Sequence, residues 1–339
     1  MFMKVFKRKL FVYPQIRENQ LLNPYVDNME KALGSKFELV HPEYPVHLPQ
    51  SFRLLLSAFR ADVYVFNWVE SASLVRGNSF FQARIKLLAL HILFLRKAKI
   101  VWIFHNIHPH EGETKWSKRI KSFLFHHATI IISHSREAAE YAKKQTQAQV
   151  CFKNHPVGLS KYGKWGGKLK ECDFFIWGNI LPYKGISELV NNPLCSLSGR
   201  KILIVGKCAD EELSNTIKSC CDENVVFENR CASFEEVAAQ CRKAKYVLFP
   251  YVGESVSSSG ALIDTLQMGG TPVGPNRGAF ADLANDQCCI VYDNINEIFN
   301  LPISDSYKRV SLEAVEKFLK ENSWNSFAEW LYDCIIQLG

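Results

Sequence analysis

The sequence predicts an α/β protein of two domains, each a mostly parallel sheet covered by helices. Three observations lead to this fold class. The chain has 339 residues, which exceeds the size at which one hydrophobic core usually stops growing. Apolar strand-like runs alternate with helix-like segments along each half, which is typical of parallel sheets covered on both faces. A stretch with four glycines and four lysines, residues 156–171, interrupts this alternation near the middle.

The first half contains near-continuous apolar runs, which indicate buried parallel strands, separated by segments with helical spacing. The predicted strands are KLFVYP (9–14), ADVYVFNW (61–68), AKIVWIFHN (98–106) and ATIIISHS (128–135). The predicted helices are 25–33, 80–97 and 136–144, and Ser135 is a plausible N-cap for the last. We assign residues 1–158 to an N-terminal domain.

The alternation restarts after residue 171. Strands are predicted at DFFIWGNI (173–180), RKILIVGKC (200–208), NVVFENR (224–230), AKYVLFPY (244–251), TPVGP (271–275) and CCIVYD (288–293). Helices are predicted to start at Gly185 and Gly260, and the tail after Ser311 has helical spacing. We therefore predict a linker at 159–171, a second domain at 172–310 and C-terminal helices at 311–339.

Cysteine usage and the lack of a spanning segment predict a cytoplasmic protein. Eleven cysteines occur without any C-x-x-C, and an odd number of thiols favours a reducing compartment. The best apolar run, residues 85–95, holds eleven residues, whereas a bilayer-spanning helix needs about 20. The short apolar part of the N-terminus has no small-residue cleavage site, so it indicates a first strand rather than a signal peptide.

The charge is distributed unevenly along the chain. Residues 1–165 carry 25 Lys and Arg against 11 Asp and Glu, a net +14, and residues 166–339 carry 16 against 23, a net −7. A basic half predicts an anionic partner, which could be a phosphorylated substrate, a membrane surface or nucleic acid. The alternative is an uneven solvated surface with no partner.

The strongest functional signal lies in residues 249–283. A strand ends at Pro250, and the polar loop Ser257-Ser258-Ser259-Gly260 leads into a helix. The N-terminus of a helix exposes unpaired N–H groups and a partial positive charge, so it binds phosphate. Hydroxyl groups add donors, and glycine lets a ligand approach the backbone. The alternative is a helix cap without a ligand.

The wider segment resembles the signature of the GT-B glycosyltransferases. It is similar to family 4 and to polysaccharide-assembly transferases that carry Ser-Gly in place of an acidic pair. The matching positions are Pro250, Ser259–Gly260, the run Gly270-Thr271-Pro272-Val273, and Gly278. The resemblance implies two Rossmann-like domains facing across a cleft, with C-terminal helices that pack back toward the N-terminal domain. It also implies that Ser258, Ser259 and Gly260 hold the diphosphate of a donor.

A second segment, WGNILPYKGISELV (177–190), is similar to the family's Gly-Arg…Lys-Gly loop. Lys184 and Gly185 match it, and Asn179 stands where the family has arginine. The resemblance implies that Lys184 meets the diphosphate, and a lysine there acts as a point charge. It further implies that Asp264 accepts a hydrogen bond from a ribose hydroxyl and that Arg230 reads the base. The family's acidic pair falls at Ser257 and Thr265, which leaves the stereochemical course open.

Histidines follow the strand at 98–106. His105 lies at the carboxyl end of this strand, where doubly wound sheets bind ligands, and the resemblance implies a histidine at the interdomain cleft. His110 and Glu111 are candidates for general acid–base work, because histidine titrates near neutral pH. Two alternatives stay open. His105, His108 and His110 with Glu111 could bind a metal, or the histidines are ordinary core or surface residues.

A basic segment, KWSKRIKSFLFHH (115–127), has apolar residues near helical spacing. With Arg84, Lys86, Arg96, Lys97 and Lys99 it could dock on anionic lipid headgroups. The alternative is a charged, solvated helix face.

Absent motifs narrow the function further. No D-x-D and no strand-associated G-x-G-x-x-G occurs, which disfavours metal-dependent single-domain transferases and nicotinamide dehydrogenases. We expect a metal-independent glycosyltransferase with no cofactor beyond its nucleotide-diphosphate sugar donor. We expect a saccharide or lipid-linked acceptor in surface polysaccharide assembly, a peripheral place at the inner face of the membrane, and no nucleic acid. The rival hypotheses are a sugar-nucleotide epimerase or phosphorylase of the same fold and a non-catalytic binding module.

Overall fold

The computed structural model describes residues 7–15, 24–45, 47–71, 79–107, 113–158, 171–253, 258–304 and 310–337. The chain divides into two compact units, one formed by Met1–Pro156 with Ser323–Gly339 and the other by Val157–Asn322. Each unit holds one six-stranded, fully parallel sheet with helices on both faces. The protein is therefore an α/β protein of two Rossmann-like domains.

The sheet of the first unit has the strand order β2-β1-β3-β4-β5-β6. Its strands are β1 (Lys9–Tyr13), β2 (Glu38–Leu39), β3 (Val63–Asn67), β4 (Lys99–Phe104), β5 (Ile130–Ser133) and β6 (Gln149–Phe152). Its helices are α1 (Pro24–Leu33), α2 (Gln50–Ser57), α3 (Ser79–Leu95), α4 (Lys115–His127) and α5 (Arg136–Lys143). Successive strand side chains point to opposite faces. One face packs on α2, α3, α4 and α5, and the other packs on α1.

The sheet of the second unit has the order β12-β11-β10-β7-β8-β9. Its strands are β7 (Cys172–Trp177), β8 (Ile202–Val205), β9 (Val225–Glu228), β10 (Ala244–Leu248), β11 (Pro272–Pro275) and β12 (Ile290–Tyr292). Helices α6 (Ile186–Val190), α7 (Pro193–Leu197) and α8 (Glu211–Ser219) cover one face. Helices α9 (Phe234–Lys243), α10 (Gly260–Gln267), α11 (Gly278–Asn285) and α12 (Leu312–Glu321) cover the other.

The C-terminal tail is divided between the two units. Helix α12 packs on the second sheet through Val315 and Phe318. The last helix, α13 (Trp324–Gln337), packs on α1 and on the first sheet through Trp324, Phe327 and Leu331. The region we predicted as one C-terminal segment thus serves both units. Among the described residues, no helix combines the length and the apolar character that crossing a bilayer requires.

Candidate functional site

The loops after β7 and β10 meet at one edge of the second sheet. These two strands are parallel neighbours, so their carboxyl ends lie side by side, at the edge where open α/β sheets bind ligands. Tyr251, which follows β10, connects the two loops. The Nζ atom of Lys184 lies 5.9 Å from the centre of the Tyr251 ring. The Tyr251 hydroxyl lies 3.4 Å from Oγ of Ser259. The structure therefore brings the predicted Lys-Gly loop and the Ser-Gly loop together.

Lys184 carries a buried charge for which the described residues supply no counterion. It ends a short 3₁₀ turn, Pro182–Lys184, and is only 7% exposed. Among the residues that the structure describes, no carboxylate pairs with its ammonium group and no hydrogen-bond acceptor is in place for it. Burial lowers the pKa of Lys184 from 10.5 to about 8. A buried ammonium group of this kind can bind an anion, because buried charges are stable only when they are paired.

Close backbone packing explains the glycine after Lys184. Gly185 has a φ of +66°, a left-handed conformation that favours glycine. A Cβ atom at this position would lie 2.0 Å from the carbonyl oxygen of Pro250. The glycine therefore lets the first loop lie directly against the end of β10, and this contact places Lys184 beside Tyr251.

The start of α10 supplies amide donors to the same edge. Ser259 is the N-cap of this helix, and its buried side chain accepts a hydrogen bond from the Leu262 amide. Ser258 is half-buried immediately before it. The amides of Leu262 and Ile263 donate to Ser259, so the N–H groups of Gly260 and Ala261 are the ones at this helix start that have no partner among the described residues and can bind an anion. An ammonium group and a helix N-terminus are the two features that suit a diphosphate.

Two further residues of α10 face different surroundings. Thr265 is fully buried and accepts a hydrogen bond of 3.0 Å from the indole nitrogen of Trp177. Asp264 is half-buried, and its carboxylate has no partner among the described residues. It lies near Gly158, where an added Cβ atom would be 3.6 Å from Oδ1. Burial raises the pKa of Asp264 from 3.8 to about 7, so this carboxyl group can either donate or accept a hydrogen bond near neutral pH.

Asn179 and Arg230 are both exposed. Asn179 lies two residues after the end of β7. Arg230 follows β9, at the far edge of the sheet, and its guanidinium group is paired with Glu228 at 2.7 Å and with Glu236. The hydrogen bonds that Arg230 donates to Glu236, and to a lesser extent to Glu228, raise its pKa. A base-reading role for Arg230 stays a prediction, and it requires the guanidinium group to leave these carboxylates or to share them.

A cavity that the sequence did not predict lies beyond Tyr251, at the carboxyl ends of β10, β11 and β12. Its volume is about 420 Å³, and its walls include Gly185, Tyr251, Asn276, Arg277 and Asp293. Arg277 donates a hydrogen bond of 3.0 Å to the carbonyl oxygen of Tyr251. Asn276 donates to Asp293 at 2.9 Å. The cavity thus shares the Tyr251 wall and Gly185 with the diphosphate candidate site.

The first unit has a cluster of histidines at the carboxyl edge of its own sheet. His105, His134 and His155 follow β4, β5 and β6, and their rings surround Tyr25 of α1 with centroid distances of 5.0 to 5.6 Å. His105 also stacks on Trp68 at 4.2 Å. Burial is the main cause that lowers the three pKa values. The pKa of His105 falls well below 6.5, that of His134 to about 3 and that of His155 to about 4.

Hydrogen bonds fix the tautomers of these neutral rings. The side-chain amide of Asn67 donates to the Tyr13 carbonyl, so its oxygen faces Nε2 of His105 at 3.1 Å and accepts the proton of that nitrogen. The Nδ1 atom of His105 therefore keeps a lone pair. In His134, Nδ1 donates to the carbonyl of Lys153 at 2.7 Å, and Nε2 accepts from the Tyr25 hydroxyl at 2.6 Å. The Nδ1 lone pair of the neutral His105 can accept a hydrogen bond, whereas its lowered pKa makes it a poor base near neutral pH.

The other histidine candidates cannot be placed in the same way. His108, His110 and Glu111 lie outside the described residues. Within the described part of the chain, no group of three or more histidine, cysteine or acidic residues has the geometry of a metal site.

Two lysines that the sequence placed on the basic surface are not available to a partner. Lys86 is buried and donates to the carbonyls of Val69 and Ser71 at 3.0 and 3.1 Å. Lys121 is buried and pairs with Glu113 at 2.7 Å. The expectation that Lys86 binds lipid headgroups is therefore wrong, because its ammonium group caps carbonyls inside the first unit.

Solved structures with the same architecture cover nearly all of the chain. The α,α-trehalose-phosphate synthase (UDP-forming) from Burkholderia vietnamiensis is 10% identical, with a TM-score of 0.65 over 98% of each chain. The trehalose-6-phosphate synthase OtsA is 11% identical, with a TM-score of 0.62 over 98% of each chain. The chain has a GT-B-like fold. AviGT4, a glycosyltransferase involved in avilamycin A biosynthesis, is 12% identical, with a TM-score of 0.57 over 98% of each chain. No protein-family model and no curated protein matches the sequence.

The contacts around Lys184 and His105 include residues that the sequence did not single out. The sequence indicates Tyr251 only as the end of a predicted strand, whereas in the structure its side chain lies between Lys184 and Ser259. His134 and His155 were not candidates, yet each follows a strand of the first sheet, as His105 does. The signal that could have found them is this shared position at the ends of parallel strands. Asn67 carries the same signal, since it ends β3.

Proposed function

We propose that the protein is a glycosyltransferase that moves a hexosyl group from a nucleotide-diphosphate sugar to a saccharide acceptor. The observation that carries the proposal is the buried ammonium group of Lys184, which has no partner among the described residues and contacts the same Tyr251 side chain as the N-cap of α10. Sugar transfer leaves negative charge on the departing nucleoside diphosphate. Fixed positive groups that are already oriented stabilise such charge without rearranging in the transition state. The resemblance of the sequence to GT-B transferases and the GT-B-like fold agree with this role.

In this proposal Lys184 contacts the diphosphate as a point charge, and the amides that begin at Gly260, with the hydroxyls of Ser258 and Ser259, donate to its oxygens. Asp264 contacts the ribose. Because the ammonium group and the helix N-terminus supply the positive charge, the reaction needs no divalent metal. We therefore expect full activity in EDTA.

The acceptor side is assigned to the first unit. His105 has a neutral ring whose Nδ1 lone pair can accept a hydrogen bond from an acceptor hydroxyl. The net charge of +14 in residues 1–165 favours an acceptor that carries phosphate. We propose a lipid-linked saccharide in surface polysaccharide assembly, met at the inner face of the cytoplasmic membrane.

A two-stage experiment tests the function. Thermal unfolding with UDP-, GDP- and CDP-sugars identifies the donor, because a ligand that binds only the folded state raises its stability. Product analysis with that donor, with and without saccharide acceptors and in EDTA, then identifies the reaction. Transfer that Lys184→Ala strongly reduces supports the proposal. An epimerised donor would indicate an epimerase. Nucleotide binding with neither transfer nor hydrolysis across the acceptors would indicate a binding module.

A further inference from the structure

Large apolar side chains are exposed along α2 and α3 of the first unit. At the end of α2, Leu56 is exposed, and Phe59, just beyond the helix, is 69% exposed. On α3, Phe81 and Leu88 are exposed and Leu95 is 77% exposed. Single apolar residues on a surface need no explanation, but a contiguous group of them marks an interaction site.

The exposed residues of α3 form one stripe. Phe81, Arg84, Leu88, His91 and Leu95 are all exposed and follow one another at intervals of three or four residues, which places them on one face of a helix. The outer face of a helix on a protein in water is normally polar. Here three of the five outward positions are apolar.

Positive side chains border this stripe and extend it onto α4. The guanidinium group of Arg84 lies 5.2 Å from the Phe80 ring centre, and that of Arg119 lies 4.8 Å from the Trp116 ring centre. The Phe80 and Trp116 rings are 5.0 Å apart, so α3 and α4 form one surface. On the α2 side, Arg96 lies 5.0 Å from the ring centre of Phe59. We call the exposed residues of α2, α3 and α4, with Phe59 and Arg96, the α2–α4 surface.

The α2–α4 surface lacks negative charge. Helices α2, α3 and α4 contain no aspartate or glutamate. Glu113, two residues before α4, pairs with Lys121 at 2.7 Å and with Lys118 at 3.8 Å. A surface of a single sign repels a second copy of itself, whereas it complements a phosphate-bearing surface. Exposed aromatic and aliphatic residues beside arginine and lysine are typical of protein elements that lie in a membrane interface.

We propose that the α2–α4 surface docks on an anionic lipid bilayer. Phe59, Phe81, Leu88 and Leu95 enter the boundary between headgroups and acyl chains, while the exposed arginines and lysines contact lipid phosphates. Docking would bring the protein to the lipid-linked acceptor proposed above, and this purpose of the docking rests on the proposed function. The docking itself is measurable without any substrate, so the two proposals can fail separately.

Vesicle flotation of the full chain tests the surface. We expect binding to phosphatidylcholine vesicles that contain phosphatidylglycerol, weaker binding to phosphatidylcholine alone, and loss of the difference in high salt. The triple variant Phe59→Gln, Leu88→Gln, Leu95→Gln should bind on the order of tenfold or more weakly to both kinds of vesicle. Arg84→Gln and Arg119→Gln should each weaken binding roughly fivefold, and only on the anionic vesicles.

A matched control lies on the second unit. Leu197, Val226 and Leu312 are exposed apolar residues there, and changing all three to Gln should leave vesicle binding unchanged. The unfolding temperature without any ligand should be close to that of the wild type in every variant, which shows that they fold. Absence of binding to anionic vesicles, or equal loss in the control triple variant, would overturn the proposal. Self-association that the α2–α4 triple variant abolishes would also overturn it, because the surface would then be a protein interface.

Discussion

Lys184 should destabilise the protein when no nucleotide is bound, and the structure gives the size of the effect. Its pKa is about 8 in the folded chain against an ordinary value of 10.5. At about 1.4 kcal/mol per pKa unit, holding the ammonium group in its buried place at pH 7 costs about 3 kcal/mol of folding free energy. Lys184→Met keeps the length of the side chain and removes the charge. The cation–π contact with Tyr251 that it also removes is worth about 0.5 to 2 kcal/mol. We therefore expect the free energy of unfolding to rise by about 1 to 3 kcal/mol.

The pH dependence identifies the charge as the cause. Between the folded and ordinary pKa values the unfolded chain binds more protons than the folded chain, so the stability of the wild type rises with pH in that window. The destabilisation is complete below about pH 8 and fades as the pH rises toward 10.5. The difference in free energy of unfolding between Lys184→Met and the wild type should thus fall, at about pH 9.5, to less than half of its value at pH 7.

Urea unfolding of the two proteins at both pH values, with and without UDP, measures these effects. UDP should stabilise the wild type much more than Lys184→Met, because the diphosphate supplies the missing counterion. Lys201→Met is the control, since Lys201 is exposed on the same unit and should change stability by less than about 0.5 kcal/mol. If Lys184→Met were less stable than the wild type at pH 7 and gained as much from UDP, the anion-receptor argument would be refuted.

Three other substitutions test the neighbouring parts of the two sites. Gly185→Ala should destabilise by more than about 1 kcal/mol in urea unfolding, because alanine is strained at a φ of +66° and its Cβ would meet the carbonyl of Pro250. Normal stability would show that the loop does not lie against β10. Ser259→Ala should cost about 1 kcal/mol of stability as a lost N-cap and should weaken UDP binding as well; an unchanged UDP affinity would separate the cap from the donor site. Asn67→Leu should lower turnover on the order of tenfold, because His105 loses the acceptor that fixes its tautomer, while the thermal shift with UDP stays that of the wild type. Wild-type turnover would exclude this positioning role.

The sequence predicted the buried strands well, because β3, β4, β7 and β8 are apolar runs that leave little choice of structure. It missed β6, whose residues are exposed or only half-buried, and β2, which has only two residues. A short strand of this kind is defined by its pairing with β1 and not by its composition.

The division of the tail could not be predicted from periodicity. Helices α12 and α13 both carry apolar residues at helical spacing, and the spacing does not say on which sheet a helix packs. The proximity of Lys184 and Ser259 could not be predicted from local sequence either. It depends on β7 and β10 being neighbours, and strand order is a long-range property that local sequence does not encode.

Position 265, where the transferases that the sequence resembles carry an acidic residue, is filled by a tightly packed threonine of α10. Thr265 is fully buried, its hydroxyl accepts from Trp177, and an added Cβ at Gly270 would lie 2.8 Å from its methyl group. A glutamate there would bury a carboxylate in a place that the threonine side chain already fills. Asp264 does not simply take its place, because consecutive helical residues point about 100° apart and Asp264 lies toward Gly158 instead of Trp177.

With that pair absent, the diphosphate contacts of Lys184 and the α10 N-terminus should dominate donor affinity. A nucleotide with one phosphate fewer makes fewer charge-assisted hydrogen bonds at this buried site. A hydrogen bond to a charged group is worth about 1.5 to 3 kcal/mol. UMP should then bind at least about tenfold more weakly than UDP, and uridine more weakly still. The affinities of Lys184→Met for UDP, UMP and uridine should differ much less from one another. Isothermal titration calorimetry measures the series, and equal affinities of the wild type for UDP and uridine would mean that the nucleoside, not the diphosphate, is what this edge of the sheet recognises.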